Sequence, residues 1–173
     1  MNHFSTVVVF IFFSLFNVVK ADINIAFVDM DKIISTSKPG LFLLNQLQNL
    51  NDKNIEKFKK DQKSLKTKEK KILAQKNIIS DEVLKKEIEL LKSDIKSYND
   101  NRNKIIADFN KIKIDNTNKL LQSINSILTD YSDENSISMI LQKKNLIIGK
   151  TELDLTNQII SIVNKNIKEF KIK

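Results

Sequence analysis

The sequence predicts an α+β protein, mainly α-helical, in which a small β-containing body carries one long antiparallel coiled-coil hairpin. Apolar residues recur alternately four and three positions apart through the middle of the chain. This 3.5-residue period places a narrow apolar stripe on one side of a helix, where a partner helix covers it. Only two Gly and one Pro occur in 173 residues, which favours long uninterrupted helices.

The first 21 residues differ from the rest of the chain. Residues 7–19 are almost wholly apolar, and this run is too short to span a bilayer comfortably. Ala21 and Val19, which are small or of moderate size, lie one and three positions before a cleavage site after Ala21. We therefore predict a signal peptide over residues 1–21, cleaved after Ala21. Because the segment before the apolar run carries little charge and Lys20 is atypical beside a cut, an uncleaved membrane anchor is the alternative. Without any Cys, a lipoprotein anchor is excluded.

Residues 22–40 form the first part of the predicted body. The run from Asn24 to Asp29 is mostly apolar and rich in β-forming residues, which is typical of a buried strand. Asp29 or Asp31 can cap a short helical turn through Ile33 and Ile34. Residues 35–40 contain the Pro and one of the two Gly, and they predict a bend before the first long helix.

Residues 41–131 form the predicted hairpin, which we call the arm. Its first helix has Phe58, Leu65 and Ile72 seven positions apart. Residues 77–80 are the predicted tip, since Ser80 is a good N-cap and two acidic residues follow it. The stripe of the returning helix comprises Leu84, Ile88, Leu91, Ile95, Tyr98, Ile105, Phe109 and Ile112, interrupted at Arg102. We interpret Arg102 as a device for register or flexibility, as polar residues at single seam positions often are.

Residues 132–173 complete the body. Residues 137–142 and 145–148 predict a β-hairpin, and an amphipathic helix follows with Thr156 as its N-cap. A body of roughly 80 residues has a core too small to be very stable without Cys or metal, so we expect self-association. The expected contacts are apolar strand residues: Ile25, Phe27, Met139, Leu141 and Ile147.

The composition argues against an enzyme. Once residues 1–21 are removed, the chain contains neither His nor Cys, so it lacks the groups for a His-based triad, a Cys nucleophile or the usual zinc site. Two isolated Gly cannot form a phosphate cradle. The pair Asp29 and Asp31 is better explained as helix capping, and an enzyme with a carboxylate site is a distant third hypothesis. We predict no metal and no cofactor.

Two groups of arm residues are candidates for binding. Between Lys53 and Lys76 there are ten Lys and three acidic residues, which would attract acidic chains or anionic lipid. The cationic candidates are Lys53, Lys57, Lys59, Lys60, Lys63 and Lys66. The apolar candidates lie near the tip: Ile78, Ile79 and Val83. The alternative interpretations are a solvated helix face for the first group and a local cluster that seals the turn for the second.

The sequence resembles the Skp/OmpH family of periplasmic chaperones over essentially all of the mature chain. The similarity lies in the strand residues Ile25 to Met30, in the two long charged helices, and in the C-terminal motif Leu153-Asp154-Leu155-Thr156 with Val163-Asn164-Lys165. The terminal motif is the more specific part, because coiled-coil arms alone match many unrelated proteins.

The resemblance implies a homotrimer whose three arms enclose a cavity for unfolded outer-membrane proteins, its clients. It also implies ATP-independent action in the periplasm. Lipopolysaccharide or another anionic lipid is a possible further partner by charge, whereas export argues against nucleic acid. The second hypothesis is a structural coiled-coil adaptor of the cell envelope, anchored by an uncleaved N-terminus.

Overall fold

The computed structural model of the chain describes residues 23–168 and 170–172. The predicted signal peptide and its cut after Ala21 lie outside the described residues. In the described part of the chain, no helix is both long enough and apolar enough to cross a membrane. The elements in chain order are β1 (Ile25–Val28), α1 (Met30–Thr36), α2 (Lys38–Gln75), α3 (Asp81–Glu134), β2 (Met139–Gln142), two 3-10 turns (Lys143–Asn145 and Thr151–Leu153) and α4 (Thr156–Asn166).

Capping residues fix where the first three helices begin. Asp29 caps α1, since its Oδ1 accepts a hydrogen bond from the backbone N–H of Lys32 at 2.9 Å. Ser37 caps α2, and Ser80 caps α3 as the sequence predicts. The predicted bend over residues 35–40 is confined to Ser37, because the residues on both sides are helical. Gly40 permits this tight junction: a Cβ there would lie 1.7 Å from the carbonyl oxygen of Ile34.

The core lies in the body, where α1, the root of α2, the last turns of α3 and α4 pack around one face of the sheet. At 54 residues, α3 is longer than α2 with 38, so its C-terminal turns continue past the arm into the body. There Leu120, Ile124 and Ile127 are buried. The other buried apolar residues of this cluster are Ala26, Val28, Ile33, Leu43, Leu47, Leu155, Ile159 and Val163.

The sheet differs from the predicted β-hairpin. β2 pairs with β1 in parallel, with Ile25 opposite Met139 and Phe27 opposite Leu141. Residues 145–148 form no strand, because the 3-10 turn at Lys143–Asn145 redirects the chain across β1. A bridge between Phe27 and Asp154 occupies the other edge of β1. β1 therefore lies between β2 and Asp154, so that segments from before and after the arm meet in the sheet.

The segment after β2 covers Phe27. Phe27 is only 6% exposed, and its ring lies so close to Gly149 that a Cβ at that position would come within 2.7 Å of it. The ammonium group of Lys143 lies 5.9 Å from the centre of the same ring. Phe27 is thus buried within a single chain, which the sequence pattern alone does not indicate.

The N-terminus of α4 corrects a second prediction. The helix begins at Thr156, so the N-cap position belongs to Leu155, which provides no side-chain hydrogen bond. Asp154 supplies the cap instead: its Oδ1 accepts from the N–H of Thr156 at 3.0 Å, and its Oδ2 accepts from Lys143 Nζ at 2.7 Å. The hydroxyl of Thr156 in turn accepts from the N–H of Asp29 at 2.8 Å. Asp154 therefore links the ends of β1 and β2 to the start of α4.

The carboxylate of Asp154 should contribute stability that depends on pH. Burial raises the pKa of Asp154, but hydrogen bonds from Lys143 and Thr156 lower it by more, so its pKa lies below the ordinary value of 3.8. A group with a depressed pKa stabilises the folded state above its unfolded pKa and loses that effect as the pH falls through its folded pKa.

We therefore expect Asp154→Asn to lower the free energy of unfolding by about 1–2 kcal/mol at pH 7, since one charged hydrogen bond is lost. Urea unfolding of both chains between pH 7 and pH 2.5 measures the difference. The difference in the free energy of unfolding should be full well above pH 3.8, the ordinary pKa of Asp. It should disappear as the pH falls through the lower pKa of Asp154 in the folded chain. A difference that stays constant down to pH 2.5 would contradict this role of Asp154.

Candidate functional site

The arm consists of two helices whose contact is narrow. On α2, Phe58, Leu65 and Ile72 are half-buried, as the seven-residue spacing predicts. On α3, six residues of the predicted stripe are half-buried: Leu84, Leu91, Tyr98, Ile105, Phe109 and Ile112. A two-helix seam of this kind covers one side of each helix and leaves the remaining sides to solvent.

Two members of the predicted stripe lie outside the seam. Ile88 and Ile95 are 38% and 42% exposed, and Asp94 turns toward α2 in place of Ile95. The carboxylate of Asp94 pairs with the ammonium group of Lys68, which is the ion pair joining the two arm helices among the described residues. The seam thus contains the ion pair between Lys68 and Asp94 among its apolar contacts. Ile88 and Ile95 are left partly exposed at the surface.

Arg102 lies where the stripe is interrupted. Its guanidinium group is 5.7 Å from the centre of the Phe58 ring, a distance at which a cation and an aromatic face attract each other. Arg102 therefore contacts the facing helix at the point where the apolar stripe is interrupted.

The net charge of the chain is concentrated on one segment of the arm. Residues 22–173 contain 28 basic and 21 acidic residues, a net charge of +7. Residues 53–76, with ten Lys and three acidic residues, carry all of that net charge, and the rest of residues 22–173 is balanced. From Asp81 to Asp115, the facing stretch of α3 has eight acidic and eight basic residues. Positive potential is thus localised on α2.

Most of the cationic candidate residues are exposed and without an ion pair among the described residues. Lys57 is the exception, since its Nζ pairs with Asp61 of the same helix at 2.7 Å. Lys59, Lys63 and Lys66 border a groove of about 590 Å³ between the two helices, whose apolar walls are Leu65, Leu91 and Ile95. Lys53 and Lys60 lie outside this groove. The structure therefore brings three of the six lysines together with apolar surface.

The apolar candidates lie around the turn. Ile78 is 80% exposed and Val83 is 47% exposed, whereas Ile79 is half-buried and helps to close the turn. Leu73 is 64% exposed on the preceding helical turn, a residue that the sequence analysis did not single out. The sequence does indicate this exposure. Ile72 is a seam residue, so the adjacent Leu73 points away from the facing helix.

The residues predicted for self-association share the outer face of the sheet, with one exception. Ile25, Phe27, Met139 and Leu141 alternate with the core residues Ala26 and Ile140, so they lie on the face opposite the core. Ile25 and Met139 are about half exposed, whereas Phe27 is buried by its own chain. The exception, Ile147, lies in the segment after β2 and is fully exposed, next to Ile148 at 90%.

Comparisons with known proteins identify the family. The family model described as outer membrane protein (OmpH-like) matches residues 24–163, which is more than half of the chain. A similar fold occurs in the crystal structure of a candidate outer membrane chaperone (OmpH-like) from Caulobacter crescentus CB15. That match has a TM-score of 0.76 and 13% identity, and covers 87% of this chain and 89% of the other. A search of curated proteins finds no match. The chain therefore belongs to the OmpH-like outer membrane protein family.

Proposed function

We propose that this protein is an ATP-independent holdase chaperone that binds unfolded outer-membrane proteins between its arms and prevents their aggregation. The observation that carries the proposal is the arm surface: all the net positive charge of residues 22–173 lies on a helix bordered by exposed apolar side chains. The family match supports the same conclusion, as does the similar fold of a protein described as an outer membrane chaperone (OmpH-like). Holding an unfolded chain by mass action requires no chemical step.

The two kinds of surface serve two stages of binding. Positive charge on α2 attracts acidic polypeptide over about a Debye length, ~8 Å at physiological salt, and so raises the rate of encounter. Contacts with Ile78, Val83, Ile95 and other exposed apolar residues then hold apolar client segments at short range. Since each contact is small and exposed, a client can exchange among them without becoming trapped.

Association into a homotrimer would place three arms around one cavity. The outer face of the sheet supports this proposal, because Ile25 and Met139 form an exposed apolar pair on adjacent strands and Ile147 is fully exposed. Burying such residues between chains removes apolar surface from water at roughly 25 cal/mol per Å². The small body thereby gains the stability that its own core lacks.

We place the protein in the periplasm, exported by a cleaved signal peptide. The family supports this location, and mass spectrometry of the mature chain tests the cut, which should leave Asp22 at the N-terminus. An intact Met1 would favour the anchored coiled-coil adaptor instead.

Anionic lipid, including lipopolysaccharide, is a further partner that the charge of α2 would attract.

Dilution of a urea-denatured outer-membrane protein into buffer, followed by light scattering, tests the proposed function. We expect the purified chain to suppress scattering in the absence of nucleotide. Scattering equal to that of the client alone would contradict it.

Reversing charge on α2 should slow client capture. The variant Lys59→Glu, Lys60→Glu, Lys63→Glu, Lys66→Glu should fold, since Glu and Lys have similar helix propensities. It should capture labelled client more slowly in stopped-flow fluorescence, by about tenfold or more at low salt, because steering acts on the association rate. Raising the salt concentration should slow the wild-type chain toward the variant.

A matched control reverses the same number of charges on the balanced helix α3: Lys85, Lys86, Lys96 and Lys104 to Glu. It alters the net charge of the chain equally but leaves the charge of residues 53–76 intact. We expect a smaller effect on capture than in the α2 variant. Equal slowing by both variants would show that only total charge matters.

Charge on the outer face of the sheet should prevent association. We choose Ile25→Asp with Met139→Asp, whose side chains are exposed in the single chain, because a charge at the buried Phe27 would also disturb the fold of one chain. A charge buried between chains costs several kcal/mol, so sedimentation at micromolar concentration should give a monomer. Ile78→Asp at the tip is the control and should remain trimeric. An unchanged trimer of the double variant would rule out this face.

A further inference from the structure

The C-terminal tail contacts the first turns of α2, where Gln46 forms hydrogen bonds with residues 170–172. The amide nitrogen Nε2 of Gln46 donates to the carbonyl oxygen of Phe170 at 2.7 Å. The amide oxygen Oε1 of Gln46 accepts from the backbone N–H of Ile172 at 3.1 Å. One side chain thus satisfies two backbone groups that are two residues apart, and residues 170–172 belong to no helix or strand.

These are the two groups with which a parallel β-strand would pair. In a parallel ladder, one residue donates to the carbonyl of residue i−1 and accepts from the N–H of residue i+1 on the neighbouring strand. The primary amide of Gln46 reproduces that pair, with Lys171 at the central position. Because both hydrogen bonds go to the backbone, they place no demand on the identity of the side chains.

Side-chain selectivity comes from the apolar surface beside Gln46. Phe170 and Ile172 are half-buried and pack against the core of the body, while Lys171 between them is exposed. This alternation is that of an extended strand with one face covered. The site therefore fits an extended polypeptide with apolar residues at alternate positions.

We propose that the Gln46 site is a binding site for extended client segments, which the chain's own C-terminal tail occupies until a client displaces it. The tail can leave without breaking an element, since α4 ends at Asn166 and Ile167 closes it through an N–H bond to Val163. A tethered segment competes at an effective concentration in the millimolar range, so the occupied site is masked from weak ligands. The choice of client as the displacing ligand rests on the proposed function.

Removal of the tail tests the proposal. The variant truncated after Ile167 and the full-length chain are each mixed with the peptide KEFKIK, the sequence of residues 168–173, and saturation-transfer NMR detects weak binding through the Phe ring of the peptide. We expect transfer with the truncated chain and at least about fivefold less with the full-length chain, because the tethered tail competes. The scrambled peptide KKFIEK keeps the Phe ring but not the alternation of apolar residues, and it should show much less transfer.

Two substitutions in the truncated chain assign the binding to Gln46. Gln46→Ala should reduce transfer to the level of the full-length chain. Gln48→Ala is the matched control, because Gln48 bonds to Asp52 on the exposed side of the same helix, and it should leave transfer unchanged. If truncation unfolds the chain, Phe170→Ser with Ile172→Ser in the full-length chain weakens the tail and replaces the truncation.

Three results would overturn the proposal: no transfer with a folded tail-free chain, equal transfer with the full-length chain, or equal transfer after Gln46→Ala. A urea-denatured outer-membrane protein should compete with the peptide, and a failure to compete would remove clients as ligands of this site. Peptide binding is measured without any aggregation assay, so its failure and the failure of the holdase function are separate outcomes.

Discussion

A hairpin of two helices can bury only one side of each helix, and the rest of the structure depends on this constraint. Over about 55 Å of arm, none of the described elements forms a third layer on the outer faces. The seam holds one row of half-buried residues such as Leu65 and Leu91, and Ile88 and Ile95 remain partly exposed. The arm therefore combines a modest core with a large accessible surface, and it relies on the body for a fixed end.

The body provides that end by joining distant parts of the chain. Parallel pairing places β2 beside β1 although the whole arm lies between them in sequence. The last turns of α3 enter the core through Leu120 and Ile124, so the arm continues into the body without a joint. Asp154 and Thr156 then connect α4 to the end of β1 by hydrogen bonds. Insertion of the arm between β1 and β2 makes the stability of the body a precondition for positioning the arm.

Much of this architecture was predictable, because long helices and their caps depend on local signals. The fold class, the tip capped by Ser80 and the seven-residue spacing of Phe58, Leu65 and Ile72 follow from such signals. The seam position of Asp94, which pairs with Lys68, did not, since a four-three pattern allows Ile95 at that position as readily. Likewise, the strand-like residues 145–148 carry no information about the preceding 3-10 turn, after which Gly149 lies against Phe27. The bonds between Gln46 and the tail join residues more than 120 positions apart, which no periodicity encodes.

Hydrogen–deuterium exchange with and without a denatured outer-membrane protein tests most directly whether the arms hold the client. Amides of residues 53–112 have few buried contacts and should exchange much faster than those of Ile33, Leu120 and Ile159, which are fully buried. Addition of client should slow exchange along residues 53–100 and leave the core of the body unchanged. Protection confined to the body, with exchange of the arms unaltered, would contradict the account.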